Sequence, residues 1–582
     1  MREPSVKCFI EPRRDNGKNE QPDADSAPGL AALPESLLLR HGAQVLNPAT
    51  AVSIPGRPAP RSTVYRARTL LIPANFFQGP QADLINSVLA RVGMRLVAPE
   101  PAKETDRKGI RQQLPRPAVL TALAARKGAV APPAVVDAWV ALQTLRAAAD
   151  AEELDLDMRT VSQISLEHLL VGSAITGNPI TEGGGLSGGN PSGGGATGPT
   201  STDSYLYSGG DGRAPVDVCM DAPDWSTDER CEEDYGRRAV VAVLDTGVRA
   251  HSWLGVHAEP GGYAATGAVE VDPDMQKVIK EQAEALQAGG PSVGNGDLPR
   301  QVIKSPWDEP VTAEPLVGEL DTHTGHGTFI AGIVRQVAPR ARVLSLRIMH
   351  SDGIVYEGDL ICALGLLADR VAAAIDGDLV GMVDVICLSL GYFSESPADV
   401  TYSLGLREVI NKLLELGVAV IAAAGNYATS RRFYPAAFAA QAPLEQIPLI
   451  SVGALNPNGT KALFSDGGQW VTAWASGAAM ISTFPQDVNG SRAPEVRMRA
   501  HPANDLPATH APSARREALD PDDYSSGFAA WSGTSFAAPL LAANVVRLLM
   551  QAAKTGSAPR LDVAGAQAAT KRVLAAFEEL GW

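Results

Sequence analysis

The chain has 582 residues, 45% of them apolar, which is enough for two or three domains with a sizeable core. A net charge of -15 argues against a nucleic-acid partner, and no apolar run approaches the roughly 18 residues of a membrane span. The polar opening MREPSVKCFIEPRRDNGKNEQPDADS and five sparse cysteines fit a cytoplasmic, reducing setting, with non-classical export as the alternative, although Cys219 and Cys231 stand close enough in sequence to pair.

Residues 1–60 are rich in Pro, Asp and Asn without a sustained period and read as a disordered tail. Residues 61–172 read as a small α+β module. Thr63–Pro73 is strand-like, Ile85, Leu89 and Val92 fall on one helical face, Met94–Pro99 forms a returning strand, and Val135, Trp139 and Leu142 mark a second helix. Residues 173–215 read as a flexible linker, because nine of the sixteen residues 183–198 are glycine.

From Val216 onward, apolar strands (239–245, 341–349, 383–390, 418–425, 448–455) alternate with helical stretches (327–337, 357–375, 399–416, 533–554). That alternation predicts an α/β fold, a mostly parallel doubly wound sheet with helices on both faces. In such sheets ligands bind beyond the carboxyl ends of the strands, where Asp245, Ser389-Leu390-Gly391 and Asn426 all fall. Residues 256–318, with a helix near Met275 to Ala288, and residues 486–527 read as insertions able to carry a partner surface.

Three segments bear chemistry. Asp245 ends the strand of VVAVLDTGV, His326 stands in GHGTFIAG, and Ser535 stands in SGTSFAAP at a helix start. A serine hydroxyl is a poor nucleophile until a base takes its proton, and the base works best when a carboxylate fixes its tautomer. The separations of 81 (326 − 245) and 209 (535 − 326) residues mean that only a fold can unite them. Asp321, His323 and His326 also form a D-x-H-x-x-H run of the kind that binds zinc, but no further Cys/His cluster adjoins it, so the reading is metal-free.

Asp, His and Ser in this order and context resemble the subtilisin-like serine peptidases, the subtilases. Phe536 stands where that signature usually has Met, and Phe329 where His is common; both departures touch packing more than chemistry. The resemblance implies a serine endopeptidase acting on proteins or peptides. His326 would be the base, Asp245 its orienting carboxylate, Ser535 the nucleophile and Asn426 an oxyanion donor. Asn426 and His326 also separate the chain from the sedolisins, which use Asp and Glu there. Ser389, Leu390 and Gly391 resemble the edge that pairs with an extended substrate. Ala423, Ala424 and Gly425 resemble a wall of the pocket for the residue before the cleaved bond, with Phe433 near its base, which points to small or medium apolar residues. The calcium loop that subtilases often insert after the histidine helix has no counterpart here, because 326–339 runs directly into the next strand, so no cofactor is expected, with calcium at other sites left open. The module at 61–172 lies where subtilases often carry an inhibitory propeptide; an ordinary accessory domain is the alternative. A catalytically silent scaffold that binds protein is the competing reading of the whole.

Overall fold

The computed structural model describes residues 8–11, 33–77, 80–97, 109–123, 135–151, 158–174, 205, 212–260, 262–288, 300–309, 312–314, 319–396, 404–441, 447–488 and 524–581. At its centre seven parallel strands run in the order Ala473–Ser476, Ile450–Leu455, Ala419–Ala423, Val385–Leu388, Val240–Asp245, Arg342–Arg347 and Val269–Val271. The sequence has the apolar runs such a sheet needs: Val240–Asp245, Val385–Leu388 and Ala419–Ala423 are buried at every residue. Two groups of helices cover it. His326–Val337, Thr534–Thr555 and Ala566–Glu579 pack together, and so do Pro273–Ala288, Glu357–Asp376 and Leu404–Glu415. Thr534–Thr555 is long and apolar enough to cross a membrane, but here it lies buried against the sheet.

A second sheet sets the site. Its order is Phe433–Tyr434, Leu390–Phe393, Ser165–Gly172, Val64–Pro73, Pro115–Ala122 and Met94–Val97. The last four strands, with helices Pro80–Leu89 and Ala138–Asp150, make a β-α-β-β-α-β unit around its own core of residues such as Leu70, Ile85, Leu89 and Leu142. The first two strands belong to the C-terminal half. Ser165–Gly172 therefore joins the halves, and Ile354–Tyr356 pairs with it as well.

Four boundaries differ from those read in the sequence. The segment 1–60 is partly built into the fold: Cys8–Ile10 lies antiparallel to Ala473–Ser476, and Ala43–Val45 pairs with Val64–Pro73 behind the short helix Glu35–Arg40. Three-residue strands are too short to show a period, which is why they escape pattern reading; residues 1–7 and 12–32 lie outside the described residues. The linker does not begin at residue 173, because Ser173 and Ala174 are buried in the site. Its other end, Arg213–Pro215, pairs with Phe528–Trp531, while the glycine run 183–198 lies outside the described residues. The stretch 256–318 is no mere insertion, since Val269–Val271 and Pro273–Ala288 complete the parallel sheet and one helix group. Most of 486–527 lies outside the described residues. Cys219 and Cys231 are unpaired, one exposed and the other buried.

Candidate active site

Asp245 is the last residue of its strand, buried at the carboxyl edge of the sheet. Its Oδ1 accepts the Thr246 N–H at 2.8 Å, and the His326 Nδ1–H approaches Oδ1 at 2.8 Å and Oδ2 at 3.0 Å. A carboxylate on Nδ1 leaves Nε2 as the ring's free basic position. That Nε2 is buried without a hydrogen-bond partner among the described residues, and the His326 ring centre lies 5.1, 5.5 and 5.5 Å from those of His323, Trp531 and Phe536.

His326 opens the helix His326–Val337 after Gly325, whose φ of 81° is left-handed. The Gly325 N–H is taken by Asp308 Oδ2 at 2.7 Å. Asp308 comes from the stretch read as an insertion, and burial, against the pull of Arg347, pushes its carboxyl up to about 6. No sequence pattern marks it, because the contact is a single backbone cap.

Ser535 is the second residue of Thr534–Thr555, where backbone N–H groups lack intrahelical partners. Its Oγ donates to the Ser389 carbonyl at 3.1 Å, and the Ser389 Oγ donates in return to the Ser535 carbonyl at 2.9 Å. Asn426 Oδ1 accepts from both the N–H and the Oγ of Thr534 at 2.9 Å, which turns Nδ2 the other way. Both Asn426 Nδ2–H and the Ser535 N–H, the latter at 2.9 Å, donate to one acceptor, the carbonyl oxygen of Ser173.

Ser173 is the residue that sequence reading missed. It follows the Ser165–Gly172 strand, which runs antiparallel to Leu390–Phe393, with Gly172 opposite Leu390 and Val171 opposite Gly391. The Ser173 N–H donates to the Ser389 carbonyl at 3.0 Å, and the Gly172 N–H to the Gly353 carbonyl at 2.9 Å. Backbone thus grips backbone from two sides. At Gly172 only hydrogen fits: a Cβ would stand 2.6 Å from the His323 ring. His323 itself is held neutral, its pKa well below the ordinary range through burial and the neighbouring His326. Asp321 is engaged by Arg40 at 3.3 Å and by the Ser351 Oγ at 2.7 Å.

Phe433 is buried against Gly391 and Gly425, on the segments beside Ser389 and Asn426. A Cβ on Gly391 would lie 2.3 Å from this ring, and one on Gly425, at φ 106°, would lie 3.1 Å from it and 2.2 Å from Asp466 Oδ2. Ala423 and Ala424 are fully buried at the end of their strand, and it is Gly425 that meets Phe433. The Ser173 hydroxyl finds no hydrogen-bond partner among the described residues.

The chain is 29% identical over 170 residues to the minor extracellular protease Epr of Bacillus subtilis (strain 168), matching 28% of this chain and 22% of that protein. It is 28% identical to subtilisin DY of Bacillus licheniformis, over 28% of this chain and 55% of the relative. It is 30% identical to a thermophilic serine proteinase of Bacillus sp. (strain AK1), over 36% of this chain and 47% of the relative. The chain therefore spans about half or less of the length of these relatives. The crystal structure of a cold adapted subtilisin-like serine proteinase matches 61% of this chain and 85% of its own at 16% identity, with a TM-score of 0.32. The model of the subtilase family matches residues 236–582, more than half of the sequence, and the chain belongs to that family.

Proposed function

We propose that the protein is a serine endopeptidase that hydrolyses peptide bonds of protein or peptide substrates through an acyl-enzyme on Ser535, and that its own residues up to Ser173 restrain it by filling the cleft. One observation carries this reading: the Ser173 carbonyl oxygen receives two converging donors, Ser535 N–H and Asn426 Nδ2–H. Two fixed donors at one oxygen are what a developing oxyanion requires.

The steps follow from this geometry. Ser535 Oγ turns from the Ser389 carbonyl toward His326 Nε2, gives it the proton and bonds to the substrate carbonyl carbon. The carbonyl π pair moves to oxygen, where Asn426 and the Ser535 N–H hold it, while Asp245 stabilises the imidazolium. Collapse expels the amine, which takes the proton from Nε2, and leaves an ester on Oγ. Water, deprotonated by the same Nε2, then releases the acid. With Ser173 in place the bond so treated is Ser173–Ala174, and Phe433 restricts the preceding pocket to small or medium apolar side chains.

The silent-scaffold alternative has one observation in its favour, the engagement of Ser535 Oγ by Ser389 and not by His326. A fluorophosphonate probe separates the two. Incubated full-length protein should become labelled on Ser535, with no label in Ser535→Ala. A folded wild type that stays unlabelled after losing its N-terminal part would refute the peptidase reading.

A further inference from the structure

The strand that fills the cleft carries its own charges. His168 lies five residues before Ser173, a distance of roughly 17 Å along an extended chain. It is fully enclosed between two carboxylates of the C-terminal half: Nδ1 is 2.6 Å from Glu357 Oε2 and Nε2 is 2.9 Å from Glu395 Oε2. Both ring nitrogens therefore donate, and the ring is an imidazolium. Glu357 opens the helix that follows Ile354–Tyr356, and Glu395 follows Leu390–Phe393, so the pair stands on the two segments that flank the bound strand. The ring of Tyr392 stacks on the imidazole at 4.3 Å and completes the enclosure.

We propose that Glu357 and Glu395 form a socket for a positively charged side chain placed five residues before the residue whose bond is cleaved, so that the enzyme selects peptides with Arg or Lys there. The inference rests on the reading of this cleft as a substrate channel. Pairing along Leu390–Phe393 and Ile354–Tyr356 recognises only backbone, and backbone pairing alone permits slippage; a slip by one residue turns each side chain to the opposite face. A cation locked between two carboxylates sets the register that brings the right carbonyl to Asn426.

The empty socket would hold two carboxylates facing each other in an enclosed place, which disfavours the charged form of both, and a cation relieves this. Glu395 Oε1 has no hydrogen-bond partner among the described residues; its neighbour Arg146, 3.9 Å away, belongs to the N-terminal unit and departs with it. A guanidinium, with five donors, has more N–H groups to offer those oxygens than an imidazolium has. Its flat face also suits the Tyr392 ring.

Two measurements test the socket. The first needs no catalysis: hydrogen exchange of backbone 165–172 in full-length Ser535→Ala protein. His168→Gln should speed exchange about tenfold or more, whereas His168→Arg should stay near the parent rate. The second uses incubated, active full-length enzyme with quenched peptides X-Leu-Leu-Val-Gly-Ser-Ala. X as Arg should be favoured over X as Gln by about tenfold in kcat/KM, mainly through KM, and Glu395→Gln should erase the preference. Equal cleavage of the two peptides, or His168→Arg as loose as His168→Gln, would overturn the socket. Failure to cleave either peptide would instead overturn the peptidase reading, and the exchange experiment would still decide the socket.

Discussion

The parallel sheet and the sheet that joins the two halves are held by different physics. In the parallel sheet, Val243, Cys387 and Ile421 lie side by side with no more than 3% exposure, and the hydrophobic effect acts without regard to detailed geometry. In the joining sheet the central strand is buried along its length too, yet it carries Glu167 and His168. Glu167 pairs with Arg300 at 2.9 Å and His168 with Glu357 and Glu395. Buried ion pairs contribute little net stability but strongly punish a missing or misplaced partner. The first sheet is thus suited to permanence, and the second to a defined register that can be exchanged for another strand.

The largest effect is expected where the two sheets meet. Asn426→Ala removes the side-chain donor to the Ser173 carbonyl and should lower kcat by about 10²–10³ while leaving the fold intact. Peptide kinetics beside a denaturation curve check this; a loss that tracks unfolding would erase the distinction between the regions. Within the parallel sheet, Ile421→Ala should lower the stability of the C-terminal half by about 2–5 kcal/mol, read from the denaturant midpoint. Exchange across 165–172 should change only as far as global unfolding changes it.

The contrast also explains what could be read before the fold was seen. The five long apolar strands, and Asp245, His326, Asn426 and Ser535 at the strand and helix ends, follow from local pattern and from motif. The structure brings His326 within 2.8 Å of Asp245, and Asn426 and Ser535 onto one oxygen. Ser165–Gly172 escapes pattern reading because Glu and His interrupt its apolar run, and their partners lie more than a hundred residues away. Ser173 carries no signal of its own and adjoins a stretch whose glycine-rich composition masks it. Pro115–Ala122 escapes pattern reading for a related reason: Pro115 and Pro117 disguise a strand that tolerates them at its start, beyond residues 119–122 that pair with Met94–Val97.

A smaller effect follows from pH. Burial disfavours the imidazolium, yet Glu357 and Glu395 outweigh it and push His168 up to about 10 from an ordinary 6.5. Docking of the strand is therefore fully supported below about 6.5 and loses this contribution as pH rises toward 10. Glu395 moves the opposite way: burial would raise it, but His168 holds it down to about 2, so its support is lost only as acid approaches that value. Exchange of 165–172 in Ser535→Ala should be slowest near pH 5–6, after correction for intrinsic rates. A flat corrected profile up to pH 10 would remove the charges from the account.

The smallest expected effect concerns specificity alone. Phe433→Ala opens the pocket beside Gly391 and Gly425 and should shift the preference from Ala toward Leu or Phe at the cleaved residue by about tenfold in kcat/KM. An unchanged profile would mean that Phe433 does not close that pocket.

The most direct measurement is the intact mass and N-terminal sequence of the incubated full-length protein beside its Ser535→Ala variant. The position of the Ser173 carbonyl predicts a wild-type fragment beginning at Ala174 and an uncut variant. The same cut in both proteins, or cleavage only at other bonds, would contradict it.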